Sequence, residues 1–172
     1  MLGALSRDVL DVHSRAHGRS PRSPRQREFA GATLPRHAAR EAFAFWGAFD
    51  PTERLRGFGY GYTGAPGQWW HDRVADAFDE AAQRLWFAGP CFELCELAVH
   101  PHFQGRGLGG RLHDALLAER KEPRALLTAR ADDERVRRFY SKHGWRVVLP
   151  ELSFGPGYPP YAVLGRELGP DR

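Results

Sequence analysis

Residues 97–110 read LAVHPHFQGRGLGG, and this is the most informative stretch of the sequence. A strand-like apolar run ends at Pro101, and a helical pattern begins at Leu108. Between them, Gly105 and Gly107 let the backbone approach a ligand closely and adopt conformations that other residues avoid. Because the turn opens a helix, its unpaired N–H groups and the positive end of the helix dipole favour an anion. The stretch therefore predicts a phosphate site.

Composition limits the classes of partner. The chain has 172 residues, which is enough for one domain with its own core. Its net charge of +4 and isoelectric point near 9.4 would suit an anionic ligand. Residues 1–40 hold eight arginines against three acidic residues, but no basic motif with interleaved aromatic residues accompanies them. We therefore expect no nucleic-acid partner.

Neither the N-terminal residues nor the cysteines indicate an extracytoplasmic protein. The first 27 residues lack the apolar core of a secretory signal, and no apolar run approaches membrane-spanning length. On one strand, Cys91 and Cys95 would lie about 13 Å apart, from four steps of about 3.3 Å, too far for a disulfide. No other Cys or His stands near them at metal-ligand spacing. We expect a cytoplasmic protein with no membrane partner and no metal.

Periodicity and turn residues predict one mixed α/β domain in which helices and strands alternate. In the first half, we expect a first helix that begins at a Ser6 cap, ends near Gly18 and carries the stripe Leu5, Val9, Leu10 and His13. A loop at 20–25 and a second helix within 26–40 should follow. We then expect a hairpin of strands 42–49 and 54–63 and one amphipathic helix from Trp70 to Leu85. In the second half we expect strands at 91–99, 125–129, 145–149 and 161–164, a helix from 107 to about 121, and a helix from Asp132 and Asp133 to Gly144.

Two nucleotide-binding patterns fit the glycine turn poorly. Gly105 to Gly110 satisfies G-x-G-x-x-G, but five residues separate Val99 from the first glycine. The dinucleotide fingerprint places that glycine directly after the strand and needs an acidic residue about 20 positions on. The next strand here carries no carboxylate. The turn also lacks the Gly-Lys-Ser/Thr ending of a P-loop.

The segment instead resembles the acetyl-coenzyme A site of GCN5-related N-acetyltransferases, the GNAT superfamily. Their strand ends in Val-x-Pro, and Gln/Arg-x-x-Gly-x-Gly/Ala follows at a helix start. This chain has Val99-His100-Pro101 and then the run from Gln104 to Gly109. The family's second element, Phe-Tyr-x-x-x-Gly-aromatic, is matched by residues 139–145.

The resemblance implies a fold and a cofactor site. The expected fold is a single α/β (α+β) GNAT domain over 1–172, with a mostly antiparallel sheet splayed at the cofactor strand, a helical part at 1–40 and a cofactor-binding core at 91–150. The backbone of Leu97, Ala98 and Val99 would pair with the pantetheine arm of acetyl-CoA. Asp133 stands where many relatives have an Asn that contacts pantetheine, and a helix cap is the favoured role. The pyrophosphate would be held by Gln104, Gly105, Arg106, Gly107, Leu108, Gly109 and Gly110, with Arg106 and Arg111 as further phosphate contacts or as ordinary solvated side chains.

The resemblance also implies the chemistry: direct transfer of acetyl to a primary amine in a ternary complex. Tyr140 matches the family's acid for the leaving thiolate. Glu96 and Glu93 are the candidate bases, with Glu96 favoured, and strand alternation places them on opposite faces unless a bulge changes the register. His71 is a further candidate base, and deprotonation of the amine through water is a further alternative.

The acceptor is a small-molecule or peptide amine that the residues do not identify further. Trp69, Trp70, Tyr158 and Tyr161 would line its site or simply pack. The alternative function is a non-catalytic acyl-CoA-binding or regulatory module. Residues 1–5 are too short to form the strand with which the family's sheet usually begins. A homodimer is one way to complete that edge of the sheet, through the partner subunit.

Overall fold

The computed structural model describes residues 2–169, with side chains from Ser6 onward. Its helices are α1 (Leu2–Ala16), α2 (Pro24–Glu28), α3 (Leu34–Ala38), α4 (Trp69–Ala77), α5 (Glu80–Trp86), α6 (Leu108–Ala118) and α7 (Glu134–Lys142). A π-helical segment at Phe29–Thr33 joins α2 to α3, and Pro101–Phe103 forms a 3-10 turn. The strands are β1 (Ala44–Phe49), β2 (Leu55–Gly64), β3 (Cys91–Val99), β4 (Arg124–Arg130), β5 (Arg146–Leu152) and β6 (Tyr161–Glu167).

Within the described residues, six strands form one sheet in the order β1-β2-β3-β4-β6-β5. β1 and β2 pair antiparallel as a hairpin. β6 pairs antiparallel with both β4 and β5, whereas β3 and β4 run parallel. A mixed, mostly antiparallel sheet with helices confirms the predicted fold class.

The chain divides into two compact units. The first unit comprises the described residues up to Tyr62 together with Leu94–Glu119. The second unit comprises Thr63–Glu93 and the described residues from Arg120 on. The boundary falls within β3, so the two candidate bases on that strand belong to different units: Glu93 to the second and Glu96 to the first.

Small residues on β2 let α6 pack closely in the first unit. A Cβ at Gly57 would lie 3.0 Å from Leu112 Cδ1, and a Cβ at Gly59 would lie 3.5 Å from Leu116 Cδ2. A larger residue at Gly57 would therefore press against Leu112 of α6, whereas one at Gly59 would press first against Leu97 Cδ1 of β3, at 3.1 Å. The core cluster beside them consists of Val9, Val12, Phe29, Leu34, Leu55, Phe58, Tyr60 and Ala98.

In the second unit, the indole of Trp86 lies against the backbone of β6 at Gly165, where any Cβ would clash with the ring. Trp86 is 2% exposed, and this large buried side chain packs α5 against the sheet. The buried core cluster of this unit consists of Val74, Phe78, Trp86, Cys91, Leu126, Leu152 and Val163.

Most predicted elements are confirmed, but two predictions in the first half are wrong. The stripe from Trp70 to Leu85 forms two helices, because Phe78 is extended and the Asp79 side chain accepts a hydrogen bond from the backbone N–H of Ala82 at 2.8 Å, capping a new helix. Ser6 does not cap α1, which already begins at Leu2.

Smaller differences concern the ends of elements. The predicted loop at 20–25 ends early, since Pro24 starts α2 at a position where its missing N–H costs nothing. Gly18, with φ of +61°, follows α1 as predicted. Leu5, part of the predicted stripe, lies outside the residues whose side chains are described. In residues 2–169, no helix combines the length and the apolar character needed to cross a membrane.

Candidate active site

The glycine-rich stretch forms a turn that opens α6. Gly105 and Gly107 have φ of +73° and +74°, in the left-handed region that favours glycine. Gly107 is the N-cap of α6, so the backbone N–H groups of the first helical turn have no acceptors within the helix. A Cβ at Gly105 would meet nothing within 4 Å. The Gly105–Gly107 turn can therefore present backbone donors to an anion.

Hydrogen bonds tie the start of this turn to the sheet. The Gln104 side-chain amide donates to the carbonyl oxygen of Val99 at 2.9 Å. The backbone N–H of His100 donates to the carbonyl oxygen of Arg56 at 2.9 Å, and the ring Nδ1 of His100 accepts from the N–H of His102 at 3.3 Å. Burial lowers the pKa of His100, which keeps the ring neutral and able to accept that bond.

Two arginines accompany the turn. Arg111 Nη1 donates to the carbonyl oxygen of Arg106 at 3.3 Å, and the Arg106 guanidinium lies 5.9 Å from the ring centroid of Phe103. Both arginine side chains are exposed. They are available for phosphate contacts, and that role stays a prediction.

The predicted pantetheine-binding residues lie on the later part of β3. The parallel ladder between β3 and β4 consists of the pairs from Cys91↔Arg124 to Glu93↔Leu126. Leu97, Ala98 and Val99 continue β3 beyond this ladder. Ala98 is buried, whereas Leu97 and Val99 are partly exposed. Their backbone pairing with a ligand stays a prediction.

Glu96, the favoured base, lies between two histidines of α1. Its Oε1 is 3.0 Å from His17 Nε2, and its Oε2 is 3.3 Å from His13 Nε2. Burial raises the pKa of Glu96, but the hydrogen bonds from His13 and His17 outweigh burial and hold that pKa well below its usual range. The hydrogen bond to Glu96 raises the pKa of His17 against the opposing effect of burial. A carboxylate held ionised in this way is a weak proton acceptor at neutral pH.

The other two candidate bases, Glu93 and His71, contact each other. Glu93 Oε1 lies 3.3 Å from His71 Nδ1, and the two residues are 3% and 8% exposed. The His71 ring packs edge-on against Phe87, with centroids 4.9 Å apart. A Cβ at Gly64 would clash with both the carboxylate and the imidazole. Glycine at this end of β2 therefore leaves the space that the pair occupies.

Tyr140 and Asp133 are placed by α7. Tyr140 is 8% exposed and packs edge-to-face against Trp145 and Phe139, at centroid distances of 5.7 and 5.1 Å. Asp133 is the N-cap of α7, with Oδ1 accepting from the N–H of Val136 at 3.0 Å. The predicted cap role of Asp133 is confirmed, and a contact with the cofactor stays a prediction.

The cysteines and tryptophans near these elements are mainly structural. Both cysteines are free thiols, and burial raises the pKa of the Cys91 thiol to about 12, which makes it a poor nucleophile. Trp70 donates from Nε1 to Thr128 Oγ1 at 3.2 Å and packs against the core of the second unit, whereas Trp69 is 58% exposed.

The structure thus pairs Glu93 with His71 and encloses Glu96 between His13 and His17. In the sequence, His13 falls in the apolar stripe of the first predicted helix, and no role is predicted for His17. The signal that could have found them is their spacing, because residues four apart on a helix share one face.

Comparison with known proteins identifies the family. Residues 66–147 match the acetyltransferase (GNAT) domain family. The chain is also 39% identical over 121 residues to a GCN5-like protein acetyltransferase of Mycobacterium tuberculosis. The chain belongs to the GNAT family. The aligned segment is 66% of this chain and spans only 59% of that relative's length.

Solved structures share the GNAT fold. A Corynebacterium glutamicum protein described as histone acetyltransferase HPA2 and related acetyltransferase has a TM-score of 0.67 at 18% identity, with 95% of this chain and 91% of that chain covered. A PaiA N-acetyltransferase of Thermoplasma acidophilum, in complex with coenzyme A, has a TM-score of 0.60 at 15% identity, with 95% and 93% covered. At these identities the likeness shows the fold alone.

Proposed function

We propose that this GNAT protein is an acetyl-CoA-dependent N-acetyltransferase that transfers the acetyl group directly to a primary amine. The observation that carries the proposal is the Gly105–Gly107 turn at the start of α6, which matches the family's cofactor motif residue by residue. A GNAT neighbour in complex with coenzyme A supports the same cofactor class.

The cofactor would be held mainly by backbone groups. The N–H groups from Gly105 to Gly110 would bind the pyrophosphate, because the start of a helix offers donors that have no acceptor within the helix and a positive dipole end. The backbone N–H of Gln104 donates to the carbonyl oxygen of Pro101 at 3.2 Å, so this residue would contribute by holding the turn in place. The backbone from Leu97 to Val99 would pair with pantetheine as an added strand would. Arg106 and Arg111 would contribute charge at the rim.

The proton acceptor in this proposal is Nε2 of His71, with Glu93 as its positioning residue. The carboxylate oxygen of Glu93 can only accept, so the Nδ1 of His71 donates to it and Nε2 keeps a lone pair. In many hydrolytic enzymes, likewise, a second residue accepts a hydrogen bond from the base and fixes its orientation. Glu96 already accepts from His13 and His17, which makes it the weaker candidate.

The reaction balances with one base and one acid. The acceptor ammonium loses one proton to His71, which passes it to solvent, and the free amine attacks the thioester carbonyl carbon to form a tetrahedral oxyanion. As that intermediate collapses, the nitrogen gives its second proton to His71, the carbon–sulfur bond breaks, and the Tyr140 hydroxyl gives its proton to the departing thiolate. The proton now on His71 restores the tyrosine through solvent, so that the net reaction forms the amide and the free thiol and releases one proton. No cysteine nucleophile is needed.

The proposed acceptor is a class of compounds, the primary amines, and not one named compound. The Mycobacterium tuberculosis relative is described as a protein acetyltransferase, so lysine-containing peptides are the first acceptors to test. Small amines such as polyamines, amino acids and aminoglycosides follow. We also propose a cytoplasmic location, and a homodimer stays a prediction.

The experiment is a thiol-release assay with acetyl-CoA across this amine panel, with an amine-free sample as the control. Amine-dependent release supports the proposal. Tight binding of acetyl-CoA without release for any amine would instead favour the non-catalytic acyl-CoA-binding module.

A further inference from the structure

The cluster of His13, His17 and Glu96 has a geometry that hydrogen bonding alone does not require. The Nε2 atoms of both histidines converge on one carboxylate, at 3.3 and 3.0 Å. One ligand atom from each residue lies within 4.8 Å of the other two. In a tetrahedral zinc site with bonds of about 2.0–2.1 Å, neighbouring ligand atoms are separated by roughly 3.3–3.4 Å. The His13 distance of 3.3 Å matches that separation, and the His17 distance of 3.0 Å is shorter by a few tenths of an ångström.

A second contact orients the His13 ring. Its Nδ1 lies 2.7 Å from Oε1 of the buried Gln26. This contact holds the ring with its Nε2 facing a carboxylate oxygen of Glu96 3.3 Å away.

The surroundings of His13 resemble the outer shell of a metal site. His13 is 5% exposed and Gln26 is fully buried, and the His13 ring stacks on Phe29 at a centroid distance of 3.7 Å and an angle of 7°. Metal-binding histidines usually donate their second ring nitrogen to an oxygen in this manner, which fixes the ring and its tautomer. His17, four residues on along α1, is 37% exposed at its side chain, so a fourth coordination position can face solvent.

We propose that His13, His17 and Glu96 form a binding site for a divalent transition metal ion, with zinc as the best match. Two imidazoles, one carboxylate and an open fourth position make a donor set that zinc accepts. Magnesium prefers octahedral oxygen coordination and should not bind. The site does not depend on the proposed acetyl transfer.

Isothermal titration of the full, chelator-treated chain with zinc chloride tests the proposal, with magnesium chloride as the control ion. We expect one zinc per chain, no magnesium binding, and the visible d–d absorption of four-coordinate cobalt when Co²⁺ replaces zinc. His17→Gln and Glu96→Gln should abolish the zinc isotherm and the cobalt spectrum, while His102→Gln, at an exposed histidine outside the cluster, should keep both. Gln26→Met, which removes the outer-shell acceptor, should weaken zinc binding about 10–100-fold.

Circular dichroism spectra of each variant verify that it is folded. Because His17 is partly exposed and Glu96→Gln is nearly isosteric, at least one of the two ligand variants should fold. No zinc binding by the wild-type chain would overturn the proposal. Equal zinc binding by the wild type and a folded ligand variant would also overturn it, because the ion would then sit elsewhere.

Discussion

The Nδ1 atom of His71 lies 3.3 Å from Oε1 of Glu93, and both side chains are buried in the second unit. This contact joins two residues that the sequence offers only as separate alternatives. It orients the imidazole and leaves Nε2 as the nitrogen that can receive a proton. The proposed base is therefore a pair and not a single carboxylate.

The first prediction follows from that pairing. His71→Gln and Glu93→Gln should each lower kcat by about 10²–10⁴-fold, the usual contribution of a general base. The double variant should be little worse than either single variant, because residues that act as a unit have non-additive effects. Steady-state thiol-release kinetics with saturating acceptor measure all three variants.

Glu122→Gln is the matched control for that pair. Glu122 is also a buried glutamate of the second unit, 6% exposed, and accepts a hydrogen bond from Thr63, but it has no proposed catalytic role. Its kcat should stay near the wild-type value. If Glu96→Gln lowers kcat more than His71→Gln does, the base is Glu96 and the assignment to His71 is incorrect.

Tyr140→Phe tests the acid. The ring should keep its packing against Trp145 and Phe139, so the fold should survive, while the proton for the thiolate is lost. We expect kcat to fall by about 10²-fold or more with little change in the affinity for acetyl-CoA. Tyr62→Phe, at another buried tyrosine, should change stability and leave kcat unaffected. Equal kcat values for Tyr140→Phe and the wild type would exclude the acid role.

Gly105→Ala tests the cofactor turn against Gly18→Ala. Both glycines have positive φ, +73° and +61°, and a Cβ at either position meets nothing within 4 Å. Each substitution should cost about 1–2 kcal/mol of stability for the left-handed conformation. Only Gly105→Ala should weaken acetyl-CoA binding, because only there would the methyl group face the pyrophosphate. Equal acetyl-CoA dissociation constants for the two variants would argue against this turn as the cofactor site.

His37 should make stability depend on pH. Burial lowers the pKa of His37 from 6.5 to about 4, with Arg40 and Arg36 acting in the same direction. The unfolded chain therefore binds this proton near pH 6.5, whereas the folded chain binds it only near pH 4, so the free energy of unfolding should fall as the pH falls through this window. Urea denaturation of the wild type and His37→Asn at several pH values measures the difference. Parallel stability curves for the two proteins would refute the assignment.

Much of the fold is encoded locally. The strand that ends at Val99, the turn with Gly105 and Gly107, and the cap at Asp133 each depend on short-range backbone chemistry, so residue patterns predict them. The break between α4 and α5 is less visible, because the apolar stripe continues across it. The side chain of Asp79 caps a new helix at a point where the stripe predicts one continuous helix.

The candidate site is only partly encoded in this way. Backbone donors at a glycine turn are predictable because they follow from the turn itself. The partners of Glu96 and Glu93 are not predictable, since 79 positions separate Glu96 from His17 and 22 separate Glu93 from His71. Contacts across such distances depend on how elements pack, and one chain does not show that in its residue pattern.

Direct acetyl transfer is tested most sharply by quantifying both products with the best acceptor found in the amine panel. Acetylated amine and free coenzyme A thiol should form in a one-to-one ratio, with an initial velocity that depends on both substrates together, as direct transfer in a ternary complex requires. Release of thiol without acetylated amine, or a ping-pong pattern that indicates an acetylated enzyme, would contradict it.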